Sequence, residues 1–329
     1  MRAVRRRPFK HRLTFSIATL LLAIFPSSDT NAAVALDAVG QLLTSRGYGG
    51  AQLVHPDNFY RLPINTNGKA GHLVIDTGAP SALVYRESLR KFGLAETKTT
   101  EKVMGAFGSG RELFGITRFP SLAIGNWTLA NVPAGVASDH GGVLRQYGSA
   151  DGLFGLREML KYGAVIDLNH RLIYLHPGGR STAVSAAMKV MLISAGYTAV
   201  ELTVADRHIH LSGAINGTPC RFLVDTGAYF TIVGHKIART AKIGGSRTGL
   251  SAEGLGNSSG GEILGARFPS MKIGSYEIKN ASAAIGHLDE NILHSGGAAG
   301  LLGVEYLAKN SAIFDFNSGT LYLRPRGSR

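Results

Sequence analysis

The sequence predicts two mostly β lobes related by an internal duplication, each opening on a short helix, and three observations carry that expectation. Ile75-Asp76-Thr77-Gly78-Ala79 recurs as Val224-Asp225-Thr226-Gly227-Ala228, displaced by 149 residues. The same displacement carries Asn67-Gly68 onto Asn216-Gly217, Gly105 onto Gly254, and Phe119-Pro120-Ser121 onto Phe268-Pro269-Ser270. After a single-residue deletion the register continues at 148, from Gly152-Leu153-Phe154-Gly155 onto Gly300-Leu301-Leu302-Gly303 and through Asp167/Asp315, Tyr174/Tyr322 and Pro177/Pro325. Self-similarity of this extent marks a duplicated fold unit. The stretches between landmarks are short, alternating and glycine-punctuated, the pattern of strands joined by tight turns.

Each element follows in order. Leu36 to Leu43 and Val184 to Ile193 read as short amphipathic helices. The repeat extends upstream of the first strand, because Ser45, Gly47, Tyr48 and Leu53 fall on Ser194, Gly196, Tyr197 and Leu202, so residues 37–55 belong to the fold and are no discarded pro-segment. Leu211 to Ile215, Asn216-Gly217 and Arg221 to Val224 form a hairpin signal, since Asn-Gly supplies the positive φ angles of a two-residue loop. Leu122 to Ile124, Leu172 to Leu175 and Leu321 to Leu323 are later short strands, and Gly178-Gly179-Arg180-Ser181 joins the repeats. The expected division is 1–35, 36–178 and 179–329.

With 329 residues, 44% hydrophobic and 17% charged, the chain has room for two domains and a real core. A lone Cys220 excludes an intramolecular disulfide, a Cys-based zinc site and a CxxC redox pair. The net charge of +13 suggests nucleic acid until it is mapped: six basic residues lie within residues 1–12 and run into the uncharged Leu13 to Phe25. A basic n-region followed by an apolar stretch too short for a stable span reads as an export signal over residues 1–35, with Thr30-Asn31-Ala32 or Ala33-Val34-Ala35 as the cleavage site. Arg6-Arg7 also fits a twin-arginine signal, so the export route stays open. Without that segment 29 basic and 21 acidic residues remain, scattered and not interleaved with aromatics, which argues against nucleic-acid binding. The expectation is an exported protein, periplasmic or secreted, with no stable membrane span once the signal is removed.

An apolar strand ending in Asp-Thr-Gly-Ala, followed about 75 residues later by an apolar pair and a glycine (Leu153-Phe154-Gly155; Leu301-Leu302-Gly303), resembles the aspartic protease superfamily. The duplication at matched spacing gives the short motif its weight. The form of the segments looks like bacterial relatives of the retroviral branch fused in tandem. The resemblance implies a bilobal acid-protease fold and an endopeptidase with Asp76 and Asp225 as the catalytic pair. Two carboxylates at hydrogen-bonding distance cannot both ionise cheaply, so one proton is shared, one Asp acts as base and the other as acid, and no metal or other cofactor is required. Thr77 and Thr226 look like the family's buried hydroxyls that cross-link the two loops. Gly78 and Gly227 are expected to permit tight backbone geometry there. The implied partner is a peptide or protein substrate, and the catalytic unit is a monomer, since one chain supplies both carboxylates.

The family's flap would be a glycine-rich hairpin between the Asp loop and the apolar-apolar-Gly strand. Met104 to Gly110 fits in the first lobe, with Gly105, Phe107 and Gly108 as substrate contacts, and Gly254 and Gly256 fit in the second. A surface hairpin with Phe107 tucked into the lobe is the competing reading. Three other readings compete: a catalytically silent peptide-binding module, an actin-like ATPase with its twice-used Asp-x-Gly turns, and structural turns capped by Asp. The ATPase fits poorly because its long helices between motifs are missing here. His208 and His210 share a strand face but lack a third metal ligand, so they read as exposed strand histidines. Cys220 reads as a small core residue, and Asp167 and Asp315 as turn residues.

Overall fold

The computed structural model describes residues 38–104, 111–137, 148–254, 258–288 and 297–325, and within them the side chains other than those of 99–104, 111–114, 250–254 and 258–260. Residues 36–329 form one compact unit. The export signal expected over residues 1–35 lies outside the described residues. Among the described residues no helix is long and apolar enough to cross a membrane.

The first repeat runs α1 (Ala38–Ser45), β1 (Gly49–Gln52), β2 (Arg61–Thr66), β3 (Lys69–Ile75), β4 (Leu83–Tyr85), α2 (Arg86–Phe92), β5 (Thr97–Met104), β6 (Arg111–Ile124), β7 (Trp127–Ala137), β8 (Gly152–Phe154), α3 (Leu156–Lys161), β9 (Val165–Asp167) and β10 (Leu172–Leu175). The second repeats this order as α4 (Thr182–Ser194), β11 (Thr198–Glu201), an added β12 (Thr203–Ala205), β13 (His208–Ile215), β14 (Thr218–Val224), β15 (Ile232–Gly234), α5 (His235–Thr240), β16 (Ser246–Gly254), β17 (Ser258–Ile273), β18 (Tyr276–Gly286), β19 (Gly300–Leu302), α6 (Val304–Lys309), β20 (Ile313–Asp315) and β21 (Thr320–Leu323).

Each lobe is a strongly curved sheet that closes on itself. In lobe one the order is β2-β3-β8-β4-β7-β6-β5, with β2 meeting β6 again at Asn65↔Ala123. In lobe two it is β12-β13-β14-β19-β15-β18-β17-β16, closed by β13 against β17. Both β2–β3 and β13–β14 turn through Asn-Gly, with φ of 50° and 72° at Asn67 and Gly68 and 47° and 79° at Asn216 and Gly217. Two consecutive left-handed residues match the right-handed twist of the flanking strands, which is why this dipeptide stands at both places. The burial of β3 is mixed near the turn and complete at Leu73, Val74 and Ile75, where both faces are covered. β14 behaves alike, ending in buried Phe222, Leu223 and Val224.

The lobes share a third sheet, ordered β1-β10-β9-β20-β21-β11, three strands from each repeat. At its centre β9 and β20 pair antiparallel with Ile166 opposite Phe314, residues that are equivalent in the repeat, so a pseudo-two-fold axis passes through this pair. Side chains alternate across the sheet as period two requires. Leu172, Tyr174 and Tyr322 lie with Val39 and Leu43 of α1 and Met188 and Leu192 of α4. Ile173, Leu175 and Leu321 join the main core. The duplicated segment upstream of the first strand thus supplies α1 and β1. Asn317 locks the junction: its Oδ1 accepts from Tyr48 Oη (2.9 Å) and from the Ser181 amide (2.8 Å), and its amide donates to Gly163 O (2.9 Å).

Two histidines depart from the expectation. His210 is fully buried, because β13 is an interior strand between β12 and β14 and position 210 corresponds to the buried Arg61 of lobe one. Burial, with Arg221 nearby, lowers its pKa and favours the neutral ring. His208 is half-buried, its Nδ1 2.9 Å from Asp206 O.

Candidate active site

β3 and β14 each deliver an aspartate at the residue after their last. Asp76 N donates to Phe154 O at 3.1 Å and Asp225 N to Leu302 O at 3.0 Å, so β8 and β19 hold the base of each loop. These strands pair parallel with β3 and β14 and antiparallel with β4 and β15, which pins them on both sides.

The threonines tie the loops to one another. Thr77 N donates to Thr226 Oγ1 and Thr226 N to Thr77 Oγ1, both at 3.0 Å. Each hydroxyl then donates to the opposite strand end, Thr77 Oγ1 to Val224 O at 2.8 Å and Thr226 Oγ1 to Ile75 O at 2.7 Å. Four hydrogen bonds therefore cross between lobes in a fully buried setting, where an unmade bond is expensive.

Asp76 and Asp225 are both buried, and their carboxyl groups hydrogen-bond each other. Asp76 Oδ1 also accepts from the amides of Gly78 (2.9 Å) and Ala79 (3.0 Å), and Asp225 Oδ1 from that of Gly227 (2.8 Å). Burial raises the pKa of both and outweighs the amide donors. For Asp225 the charge of Asp76 adds to burial and lifts it well above the carboxylate range. A pair in this state keeps one proton between its two groups.

The glycines have a different reason from the one expected. Neither Gly78 nor Gly227 is among the residues of positive φ. A Cβ on Gly78 would stand 2.5 Å from Asp225 Cγ, and one on Gly227 would stand 2.4 Å from Asp76 Cγ. Each glycine is empty space that the other lobe's carboxyl occupies. Gly155 and Gly303 behave alike, since a Cβ there would meet the backbone of Ser81 or of Phe230 at 2.3 and 2.6 Å.

Two further carboxylates, not legible as site residues, anchor the loops. In lobe one Glu158 Oε2 accepts from Ala82 N at 2.6 Å, and in lobe two Glu305 Oε1 accepts from Thr231 N at 2.6 Å. The two come from adjacent repeat positions: Glu305 stands at the place of Arg157, and Tyr306 at that of Glu158. Arg157 binds Glu158 (Nε to Oε1, 2.7 Å) and donates to Pro133 O at 2.6 Å. Tyr306 instead reaches the matching point of β18, donating to Ser282 O at 2.6 Å and accepting from Ser282 N at 2.7 Å. Without an arginine beside it, burial pushes Glu305 up to about 7.

Of the flap positions, Gly105, Phe107, Gly108 and Gly256 lie outside the described residues, and of Gly254 only the backbone is described, at the end of β16. The hairpin arms are present: β5 pairs β6 as far as Met104↔Arg111 and β16 pairs β17 as far as Gly254↔Ser258. Cys220 packs against the core within β14, its thiol pushed up to about 12 by burial. Asp167 accepts from the amides of Asn169 and His170, and Asp315 from that of Asn317, which makes both turn residues. Among the described residues no three His, Cys, Asp or Glu side chains gather as a metal-binding group.

Comparison with known families matches each lobe separately. Residues 62–157 fit the family described as "Aspartyl protease", and residues 211–309 the family described as "gag-polyprotein putative aspartyl protease". No curated protein matches the chain. The matches begin in β2 and in its counterpart β13 and reach the helix after the apolar-apolar-Gly strand, and so enclose one Asp loop each. The chain therefore carries two retropepsin-like domains of the aspartyl protease family in tandem, one in each lobe.

Proposed function

We propose that the protein is an aspartic endopeptidase in which Asp76 and Asp225 share one proton and activate a water molecule. The observation that carries this reading is the buried, mutually hydrogen-bonded pair of carboxyls held by reciprocal threonine bonds. The ionised member takes a proton from the water while its oxygen attacks the scissile carbonyl carbon, and the protonated member gives its proton to the carbonyl oxygen. In the collapse of the tetrahedral intermediate the newly protonated Asp gives its proton to the amine nitrogen as the C–N bond breaks, while the other Asp takes the proton of one of the intermediate's hydroxyls, so the pair again holds one shared proton. No covalent intermediate forms. One chain supplies both carboxyls, so the proposed catalytic unit is the monomer. The basic and then apolar leader supports export, and the proposed place of action is the periplasm or the exterior.

Digestion of an unfolded protein by the purified chain tests this. Asp76→Asn and Asp225→Asn should each abolish hydrolysis as fully as the double variant, because the pair acts as one unit. The profile should be bell-shaped, with the alkaline limb above the ordinary carboxylate range since both groups are raised, and chelators and thiol reagents should have no effect. Substantial activity in either single variant refutes the proposal.

A further inference from the structure

Helix α4 is apolar almost all the way round, with Lys189 as its one charged residue, although the fold covers only one side of it. Val184, Met188 and Leu192 pack into the layer between the helices and the shared sheet. On the opposite side Ala183, Ala186, Val190 and Ile193 recur at intervals of three and four and stand exposed, Val190 at 68% and Ile193 at 46%. At about 1.5 Å per residue they form an outward stripe about 15 Å long. A helix apolar on every side belongs in an interior or against an apolar phase. The duplication shows that the fold does not itself require the stripe. Val190 and Ile193 stand at the register places of Gln41 and Thr44 in α1, both exposed, whereas the inward Met188 and Leu192 match the inward Val39 and Leu43.

The charge around the stripe has one sign. Arg180 precedes α4, Lys189 stands at the edge of the stripe and Arg46 follows α1, all three exposed. Arg324 donates to Ala195 O at 3.0 Å, just past the end of α4, and lies over the Tyr197 ring. Residues 38–48 and 176–197 contain no Asp or Glu. The carboxylates of the sheet beneath are Asp167 and Asp315, both buried, and Glu201, exposed at the far end of β11. We propose that α4 docks this face on an anionic lipid surface, the stripe entering the boundary of the acyl chains and the flanking cations meeting the headgroups. A second copy of the chain fits less well, because a self-complementary contact through α4 sets this cationic rim against an identical one. The shared sheet lies between the helices and the main core that holds Ile75 and Val224, so docking here leaves the aspartate loops clear of the lipid.

The test uses the chain without residues 1–35, the compact unit left when the proposed signal is removed, sedimented with vesicles of phosphatidylcholine containing about one third phosphatidylglycerol and with vesicles of phosphatidylcholine alone. Binding should be about tenfold tighter to the mixed vesicles and should weaken as salt is added. Val190→Gln together with Ile193→Thr gives α4 the residues that α1 carries at these places, so the fold should stand, as urea unfolding checks, while binding falls about tenfold. Lys189→Glu should weaken binding more than Lys236→Glu, an equal change of charge at an exposed site of α5. Val190→Trp should shift its added fluorescence to the blue on the mixed vesicles alone. No binding, equal binding to both vesicles, binding that the double change leaves intact, or equal effects of the two lysine changes overturns the proposal. So does a concentration-dependent dimer in light scattering that the double change abolishes, since the stripe then belongs to a second copy.

Discussion

Replacing Glu305 by Gln should change how stability depends on pH, and the size of the change follows from the site. Burial lifts the Glu305 carboxyl from 4.5 to about 7, the amide of Thr231 and the charge of Lys309 only partly opposing it. Below pH 4.5 folded and unfolded chains both hold the proton, and the wild type has its full stability. As pH rises from 4.5 to 7 the unfolded chain releases the proton while the folded chain keeps it, so stability falls. At ~1.4 kcal/mol for each tenfold in proton affinity, the loss is ~3 kcal/mol once the pH passes 7. Gln fills nearly the same space and still accepts from Thr231 N, but has no charge to bury. Urea unfolding of the two proteins at pH 4, 5, 6, 7 and 8 measures the difference, and titration of the Asp pair is common to both and cancels. The variant should be close to the wild type at pH 4 and gain up to ~3 kcal/mol on it by pH 8. A difference that stays constant across this range refutes the claim that Glu305 is buried without adequate charge compensation.

Gly78→Ala and Gly227→Ala should each force the two lobes apart at the carboxyl pair, because the added methyl lands on the opposite Asp; we expect a loss of about 1–3 kcal/mol in urea unfolding and no detectable hydrolysis. The backbone there needs no positive φ, so the same substitution at both sites should cause damage of the same kind. Thr77→Val leaves Thr226 N without its acceptor and Val224 O without its donor, at about 1–3 kcal/mol for each buried group, whereas Thr77→Ser should retain most of the stability. Destabilisation by Ser as large as that by Val would show that the hydroxyl's hydrogen bonds do not dominate.

The parts of the fold that could be read in the sequence are those where the same chemistry is written twice. Asp-Thr-Gly-Ala, Asn-Gly and the apolar-apolar-Gly strands each answer a local demand, so both copies kept them and the displacement of 149 exposes them. The shared six-stranded sheet was not legible as one object, because Leu172 to Leu175 reads as a strand but nothing local states that its sheet continues through Val165–Asp167 into the other repeat. His210 differs from the expectation for a related reason: a strand's alternation tells which residues share a face but not what covers that face, and the segment paired with this position is β12 at Thr203 here and the single bridge from Val54 to Arg61 in the first repeat. The role of Gly78 was hidden because its neighbour in space is 147 residues away. Glu158 and Glu305 escaped because the lobes place the anchoring carboxylate one residue apart, so the repeat comparison sets Arg against Glu and shows a mismatch where there is a shared task.

The antiparallel pairing of Ile166 with Phe314 joins two copies of the same strand in a register that a single ancestral lobe could make with its own twin. In such a twin every substitution would appear on both sides of the axis at once. Covalent joining replaces a bimolecular encounter by a tether, so the two aspartates stay opposed at any dilution, at an effective concentration fixed by the linker. It also frees each half to mutate alone. Pro80-Ser81 against Tyr229-Phe230, and Arg157 against Glu305, are differences that a symmetric dimer could not hold, and they give the two ends of a bound peptide distinguishable surroundings.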